Sequence, residues 1–591
     1  MPATITDTPY VLKFGSSVLR GPADVPLAVS EIYRHLRLGR RVVAVVSAFR
    51  GRTDTLIAHA AACDLDANSP AAAGVIGLGE AETAALLAAA LGNAGLPASL
   101  LDWRTAGLRA TETGTNAGVA GVDAAAVRGA LAHGRVAVVP GYVAAAPDGS
   151  PAVLGRGGSD LTAVALGAAL DAEVHLIKDV GGVYERDPAV AADAPGRYQG
   201  ISYADALVVG RQAVQPRAVE HAEKTAVRLS VVAPGSDAGT SITRKASRLA
   251  AEGHRLDSAP ERPVRIALLG IGTVGLGVAR RLAREPRRHG VEIALVRDAA
   301  IARPGLPPTV RITDHPDDAF ATDPDVVIEL IGGTTLAADL VERALAGGRS
   351  VVTANKALIA SDGARLHAIA REHGAQLLHS AAVGGALPAI ELVRAARERG
   401  PIASIRAVLN GTCNDLLNRT ANAGTTPVGL EEAIRAAQLA GYAEADPSLD
   451  LSGDDAAQKL AILAREAFGL ELDPALIERE PLTDEVISRS IADGPLRQIA
   501  RVDSEGRASV RFESATDRLL AELPGAWNAI EIALADGSPP VTAAAAGAGR
   551  WPTTEAVVAD VAELVRAASD PHRADRTSAA SDAPLATPAG A

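Results

Sequence analysis

The chain has 591 residues, too many for one ordinary domain and suited to two to four. It is 48% hydrophobic but only 3% aromatic, so its cores must be built from Ala, Val, Leu and Ile. A formal charge of −12 without a basic block argues against a nucleic-acid partner. Cys63 and Cys413 form neither a metal spacing nor a disulfide framework, and no export signal or clean apolar span of membrane length is visible. A cytoplasmic enzyme acting on small molecules is the expectation.

In chain order, the first half alternates short apolar runs with amphipathic stretches. The runs are YVLKF (10–14), RVVAVVS (41–47), RVAVVPGYV (135–143), EVHLIKDV (173–180) and RLSVVAP (228–234). This pattern predicts an α/β domain with a mostly parallel sheet over 1–246. Residues 247–262, SRLAAEGHRLDSAPER, read as a linker. A fresh series follows: VRIALLG (264–270), EIALVRD (292–298), DVVIELIGG (325–333), SVVTANK (350–356) and AQLLHSA (375–381). It predicts a Rossmann domain over 263–400. ASIRAVLNGT (403–412), a long helical region, RASVRFES (507–514) and NAIEIALADG (528–537) then predict an α+β domain over 401–540, with 541–567 returning to the Rossmann layer. The run from 568 to 591 is rich in Ser, Ala, Pro and Asp without periodicity and reads as a disordered tail.

Two features carry chemistry. GIGTVG, Gly270-Ile271-Gly272-Thr273-Val274-Gly275, follows a strand and opens a helix, the arrangement that seats a dinucleotide pyrophosphate on a helix N-terminus. The next strand ends in Arg297-Asp298, and Arg297 suits a 2′-phosphate, favouring NADP over NAD. The second feature is GYAEADPSLDLSGDDAAQKL (441–460), five carboxylates closed by one lysine. Asp455 and Lys459 are four apart and share a helical face. Asp454 reads as solvated and Asp446, before Pro447, as a turn residue.

Residues 263 to about 567 resemble homoserine dehydrogenase, through GIGTVG, ELIGG (329–333), VVTANKALIA (351–360), AAVGGALP (381–388), LNGTCN (409–414), the acidic segment and GAGRWPT (547–553). The resemblance implies reduction of aspartate 4-semialdehyde to homoserine by a nicotinamide cofactor. It assigns Glu444 and Asp450 to the substrate ammonium, Asp455 and Lys459 to catalysis, and Lys356 to a second active-site lysine beside the nicotinamide. Asn410, Gly411 and Thr412 are implied at the substrate; Gly332, Thr353 and Gly547 are implied at the cofactor, and Asn355 supports the turn before Lys356. Ser380 stands where the family places a glutamate that helps hold a monovalent cation, so that cation is in doubt, although carbonyls near Val383 persist. Ala386 replaces a family glycine.

Residues 8–243 resemble the amino acid kinase family, aspartokinase most of all, through VLKFGSSVL (11–19), VVSAFRGRTDTL (45–56), GLGEAETAALL (77–87), LGRGGSDLTA (154–163), IKDVGGVYERDP (177–188) and VQPRAVEHA (214–222). Phosphoryl transfer needs cations, backbone donors from glycine turns and a carboxylate clamp more than covalent chemistry. The resemblance places Lys13, Gly15, Ser16, Ser17, Gly157, Gly158, Asp179 and Asp187 at MgATP, and Lys178, which stands where the family has Thr, is expected there as a cation that restores the charge missing at Gln212. It places Thr53, Glu80, Arg156 and Ser159 at aspartate, with Asp160 orienting; Gly155 belongs to the same glycine turn. Ser16, Ser17 and Gln212 depart from the family's Gly, Thr and Lys. The half is therefore either an attenuated aspartate kinase or a kinase-like module kept for binding or oligomerisation. No regulatory βαββαβ module fits between the halves. A homo-oligomer is expected from the resemblance.

Overall fold

The computed structural model describes residues 8–569, apart from 189–190, 192–194, 211–212, 237, 251–261, 286–287, 422–428, 441–442, 445, 493 and 516–517. Two compact units divide between Ser258 and Ala259. The predicted tail lies almost wholly outside the described residues, as do Gln212 and most of the predicted linker.

The first unit is built on a nine-stranded sheet. Its centre is Arg228–Val232, Glu173–Ile177, Tyr10–Phe14, Val42–Val46 and Val136–Pro140, all parallel. Tyr10–Phe14 and Val42–Val46 are buried along their whole length, which is why these strands read as continuous apolar runs rather than alternating ones. A hairpin-like reversal adds Gly239–Thr243 antiparallel to Arg228–Val232. Arg248–Leu249 pairs with Tyr198–Gly200, so the sheet runs past the expected linker start at 247. Helix Gly158–Leu170 packs across Tyr10–Phe14 and Glu173–Ile177, and its first turn meets the carboxyl ends of those strands.

One helical stretch, Pro70–Asn93, is long and apolar enough to cross a membrane by length and composition, contrary to the sequence reading. It breaks at Gly77 into Pro70–Ile76 and Leu78–Asn93. The second piece packs on strands Val136–Pro140 and Ala98–Leu100 and carries Glu80 and Glu82, which fits a core helix of the α/β layer.

The second unit opens with six parallel strands in the spatial order Arg311–Thr313, His289–Leu295, Val264–Leu269, Val326–Glu329, Ser350–Thr353, Leu377–Leu378. The order reverses between Val264–Leu269 and Val326–Glu329, the place where open parallel sheets bind ligands. A second sheet of six strands follows, in which Ala508–Ser514, Leu496–Asp503, Ile402–Val408, Trp527–Leu534 and Val541–Ala546 run antiparallel to one another in that order, and Glu478–Arg479 pairs parallel to Ala508–Ser514 at the edge. Val541–Ala546 belongs to this sheet, so the return to the Rossmann layer begins at helix Arg550–Ser569 rather than at 541. That helix packs on Thr273–Leu282, and a Cβ at Gly277 would sit 2.6 Å from Thr554 Oγ1.

Helix Asp454–Phe468 is the joint between the two layers. It starts after Gly453, whose φ of 84° is left-handed, and ends at Gly469 with φ 69°. Asp454 and Asp455 in its first turn suit the positive end of the helix dipole. It packs on helices Lys356–Glu372 and Ala389–Arg399 and on strand Leu496–Asp503.

Candidate functional site

Asp455 is the hub of the acidic segment. Its Oδ2 accepts from Lys459 Nζ at 2.8 Å, and its Oδ1 lies 3.0 Å from Lys356 Nζ. Two lysines distant in sequence thus share one buried carboxylate, because helices Lys356–Glu372 and Asp454–Phe468 pack together near their N-terminal ends. Lys356 sits at the first position of its helix, after Asn355, which caps Leu358 N at 3.2 Å and donates to Gly333 O at 2.7 Å. Burial resists ionisation of Asp455, but the two ammoniums outweigh it and hold the carboxyl at about 2. Burial opposes the charge on Lys356 as well, and Asp455, Asp450 and Glu444 overcome it, raising the lysine's pKa. Lys356 is therefore a cation at neutral pH.

Lys459 Nζ also donates to Leu409 O at 2.8 Å, and Leu409 O is held from its other side by Asn528 Nδ2 at 3.1 Å. An ammonium has three hydrogens, so one is left for a further acceptor. Asn410 Nδ2 bridges Asp450 Oδ1 (2.6 Å) and Asp455 Oδ2 (2.9 Å), and its Oδ1 accepts from Cys413 N at 2.8 Å. Burial, with Asp455 nearby, raises the pKa of Asp450, while its bonds to Asn410 and Thr412 favour the charged form. Glu444 is exposed. Gly411 fits against its own chain, since a Cβ there would stand 2.4 Å from Ala526 O. Asp454 is not simply solvated: its Oδ1 pairs with Arg479 Nε at 2.9 Å. Asp446 accepts from Ser448 N at 3.1 Å, as a turn residue does. Buried Cys413 has its thiol pKa pushed well up by burial and by Asp450 and Asp455.

The GIGTVG turn sits at the reversal of strand order. Gly270 has φ 103°, and a Cβ there would meet Leu330 O at 2.7 Å, so the close approach of two strand ends requires glycine. Gly275 touches Gly270 O in the same way. By contrast, a Cβ at Gly272, Gly332 or Gly333 would point into open space. Those three glycines border room for a ligand beside the N-terminus of helix Thr273–Leu282, and this fits a dinucleotide. Arg297 is exposed beyond strand His289–Leu295, while Asp298 turns back to accept from Ala300 N at 2.8 Å. Gly547 packs against the Asn528 side chain and beneath Gly385. Ser380 faces Asp560, with Oγ 2.7 Å from Oδ1, and Glu391, and Val383 is buried beside it.

Two residues escaped the sequence reading. Glu329 is fully buried at the end of strand Val326–Glu329; it accepts from Ile331 N (2.8 Å) and Gly332 N (2.9 Å) and from Thr353 Oγ1. It shapes the ELIGG turn and ties it to Thr353, whose Oγ1 accepts from Asn355 N at 3.0 Å. An acid closing an apolar strand before two glycines was the available signal. Asn528, which positions Leu409 O, left no signal in its strand.

In the first unit, Asp160 plays a similar part. Its Oδ1 lies 2.5 Å from Lys13 Nζ and its Oδ2 3.2 Å from Lys178 Nζ. Lys13 is on strand Tyr10–Phe14, Lys178 follows the adjacent strand Glu173–Ile177, and Asp160 is in the first turn of helix Gly158–Leu170. Burial resists the charge on Asp160, but the two lysines hold it at about 2. Burial pulls Lys13 down, against the attraction of Asp160. Gly157 precedes the helix with φ 75°, where a Cβ would stand 2.3 Å from Gln215 Cβ. Ser17 Oγ and Glu80 Oε2 are buried and have no hydrogen-bond partner among the described residues. Burial pushes Glu80 up to about 7, although its Oε1 accepts from Ala48 N at 3.1 Å. Ser159 is buried; Ser16, Arg156 and Asp179 are exposed, and Thr53 and Asp187 are half-buried. The paired lysines, with Ser17 Oγ and Glu80 Oε2 lacking partners among the described residues, fit a polyanionic ligand with a small polar co-substrate.

Comparison with known proteins agrees with this division. Residues 9–233 match the amino acid kinase family, 270–380 the NAD-binding domain of homoserine dehydrogenase, and 388–562 homoserine dehydrogenase itself. The chain is 38% identical over 350 residues to a homoserine dehydrogenase of Pseudomonas aeruginosa, covering 55% of this chain and 79% of that protein. It is 37% identical over 331 residues to one from Synechocystis sp., covering 51% and 73%. A solved homoserine dehydrogenase from Thiobacillus denitrificans aligns with a TM-score of 0.47 at 34% identity, over 53% of this chain and 75% of that one.

Proposed function

Since the chain belongs to the homoserine dehydrogenase family, with an amino acid kinase domain joined ahead of it, we propose that Lys459, Asp455 and Lys356 carry the interconversion of aspartate 4-semialdehyde and homoserine. The observation behind this reading is the single buried carboxylate shared by two ammoniums. Gly270–Gly275 and Gly332 would hold a nicotinamide dinucleotide, which would supply or receive the hydride. Lys459 spends two hydrogens on Leu409 O and Asp455 and directs the third at the substrate carbonyl oxygen. There it offsets developing negative charge and delivers the proton as the aldehyde becomes an alcohol. Lys356 stabilises the same oxygen from the side of the Rossmann layer. Asp455 fixes both ammoniums in place. Asp450 and Glu444 receive the substrate ammonium. Arg297 takes the 2′-phosphate, which makes NADP the preferred cofactor.

For the first unit we propose ATP-dependent phosphorylation of aspartate, attenuated by the changes at Ser16 and Gln212. Lys13 and Lys178, held by Asp160, neutralise the phosphates; Mg2+ accompanies the nucleotide. Arg156, Glu80, Thr53 and Ser159 hold aspartate. The two activities are not consecutive steps, because an acyl phosphate must be reduced before it becomes an aldehyde.

Purified full-length chain should reduce NADP with homoserine, and should form hydroxamate-trapped acyl phosphate with ATP and aspartate at a low rate. Gln212→Lys with Ser16→Gly should raise the second rate. No acyl phosphate from wild type or variant, together with no ATP binding, would make the first unit a non-catalytic module and leave the dehydrogenase reading untouched.

A further inference from the structure

His367, His379 and Glu466 converge away from the lysine cluster. His367 is on helix Lys356–Glu372, His379 follows strand Leu377–Leu378, and Glu466 is on helix Asp454–Phe468. His367 Nε2 and His379 Nε2 are 3.2 Å apart, and His379 Nε2 is 3.4 Å from Glu466 Oε1. All three ligand atoms lie within 4.8 Å of one another. His379 is 2% exposed, and His367 is half-buried.

The spacing has a physical meaning. Zinc held tetrahedrally at 2.0–2.1 Å by nitrogen and oxygen ligands sets those ligands about 3.3 Å from each other. Two edges of the cluster already have that length. The protons available fit poorly without a cation. His379 Nε2 faces both His367 Nε2 and Glu466 Oε1, so as an acceptor from His367 it turns a lone pair toward a carboxylate. As a donor it must split one hydrogen between two acceptors. Its Nδ1 has no hydrogen-bond partner among the described residues, so every polar contact of the ring falls on Nε2. Arg394 Nε holds the other oxygen, Glu466 Oε2, at 3.2 Å and so aims Oε1 at the histidines.

We propose that His367, His379 and Glu466 form a site for a divalent transition metal of the zinc type, with the fourth position open to water. Its place gives it a consequence. The two helices that meet through Lys356, Asp455 and Lys459 near their N-terminal ends meet again through this cluster, about two to three turns further along. A bound ion would clamp the pair at a second point and fix the lysines relative to each other.

The test uses full-length chain without a polyhistidine tag, stripped with EDTA and titrated with Zn2+ by calorimetry and with Co2+ by visible absorption. The expected result is one zinc per chain, a tetrahedral cobalt band and a zinc-dependent rise in Tm. His379→Ala and Glu466→Gln should weaken binding on the order of 100-fold or more. Cys63→Ser should leave it unchanged and so dismiss the exposed thiol. If those two substitutions unfold the chain, His367→Asn decides. Less than stoichiometric zinc on wild type, no Tm rise, or wild-type affinity in a folded His367→Asn variant would overturn the proposal.

Discussion

Replacing Lys459 by methionine removes an ammonium while keeping much of its aliphatic stem. Two of its hydrogen bonds disappear, to Leu409 O and Asp455 Oδ2, both 2.8 Å. Leu409 O keeps Asn528 as a donor, and Asp455 keeps Lys356 and Asn410. The whole depression of Asp455, from 3.8 to about 2, corresponds to roughly 2 kcal/mol. Because burial opposes the carboxylate, the two ammoniums together supply more than this net figure; Lys356 and Asn410 stay to hold Asp455, and the chain should fold with that net stabilisation reduced. That stability is present above pH 3.8 and disappears as pH falls toward 2. Catalysis should suffer far more, since loss of a positioned proton donor costs about 10²–10⁴-fold, or roughly 3–5 kcal/mol of barrier. Steady-state homoserine oxidation at saturating cofactor should show the fall in kcat, with cofactor affinity by fluorescence titration unchanged. A folded variant within about threefold of wild-type kcat would mean that Lys459 is only the ion-pair partner of Asp455.

Arg297→Ala should lower kcat/KM for NADP by about 10–100-fold, as expected for a lost charge-assisted contact, and leave NAD unaffected; equal effects on both would refute the assignment. Iodoacetamide should label exposed Cys63 and spare buried Cys413, whose thiol pKa is raised, with homoserine oxidation retained; mass spectrometry of the native chain reads the stoichiometry. Glu80→Gln should stabilise the first unit above pH 7. Between pH 4.5 and about 7 the unfolded chain releases a proton that native Glu80 holds, so stability falls with rising pH by about 3 kcal/mol, and the amide removes that slope in thermal scans. Asp160→Asn should abolish ATP binding, since it frees two lysines from the carboxylate that places them; calorimetry with MgATP checks it.

The sequence by itself determined whatever depends on near neighbours. Buried parallel strands announce themselves as apolar runs, and GIGTVG carries its turn and helix start in six letters. Asp455 and Lys459 share a face because helical geometry puts i and i+4 together, and the structure keeps that pair at 2.8 Å. The two-unit order and the Rossmann layer follow from the same local periodicities. Only the tertiary structure decided which distant groups meet. Lys356 reaches Asp455 because two helices from different layers pack together, and no pattern within either helix encodes that approach. Asn410 joins Asp450 to Asp455, Glu329 braces the ELIGG turn, and Asp160 gathers Lys13 and Lys178 for the same reason. The histidine–glutamate cluster was the least legible, since its members lie on a helix, a strand end and another helix. Backbone preference is written in windows of a few residues, whereas side-chain convergence depends on packing across the fold, which a linear pattern does not contain.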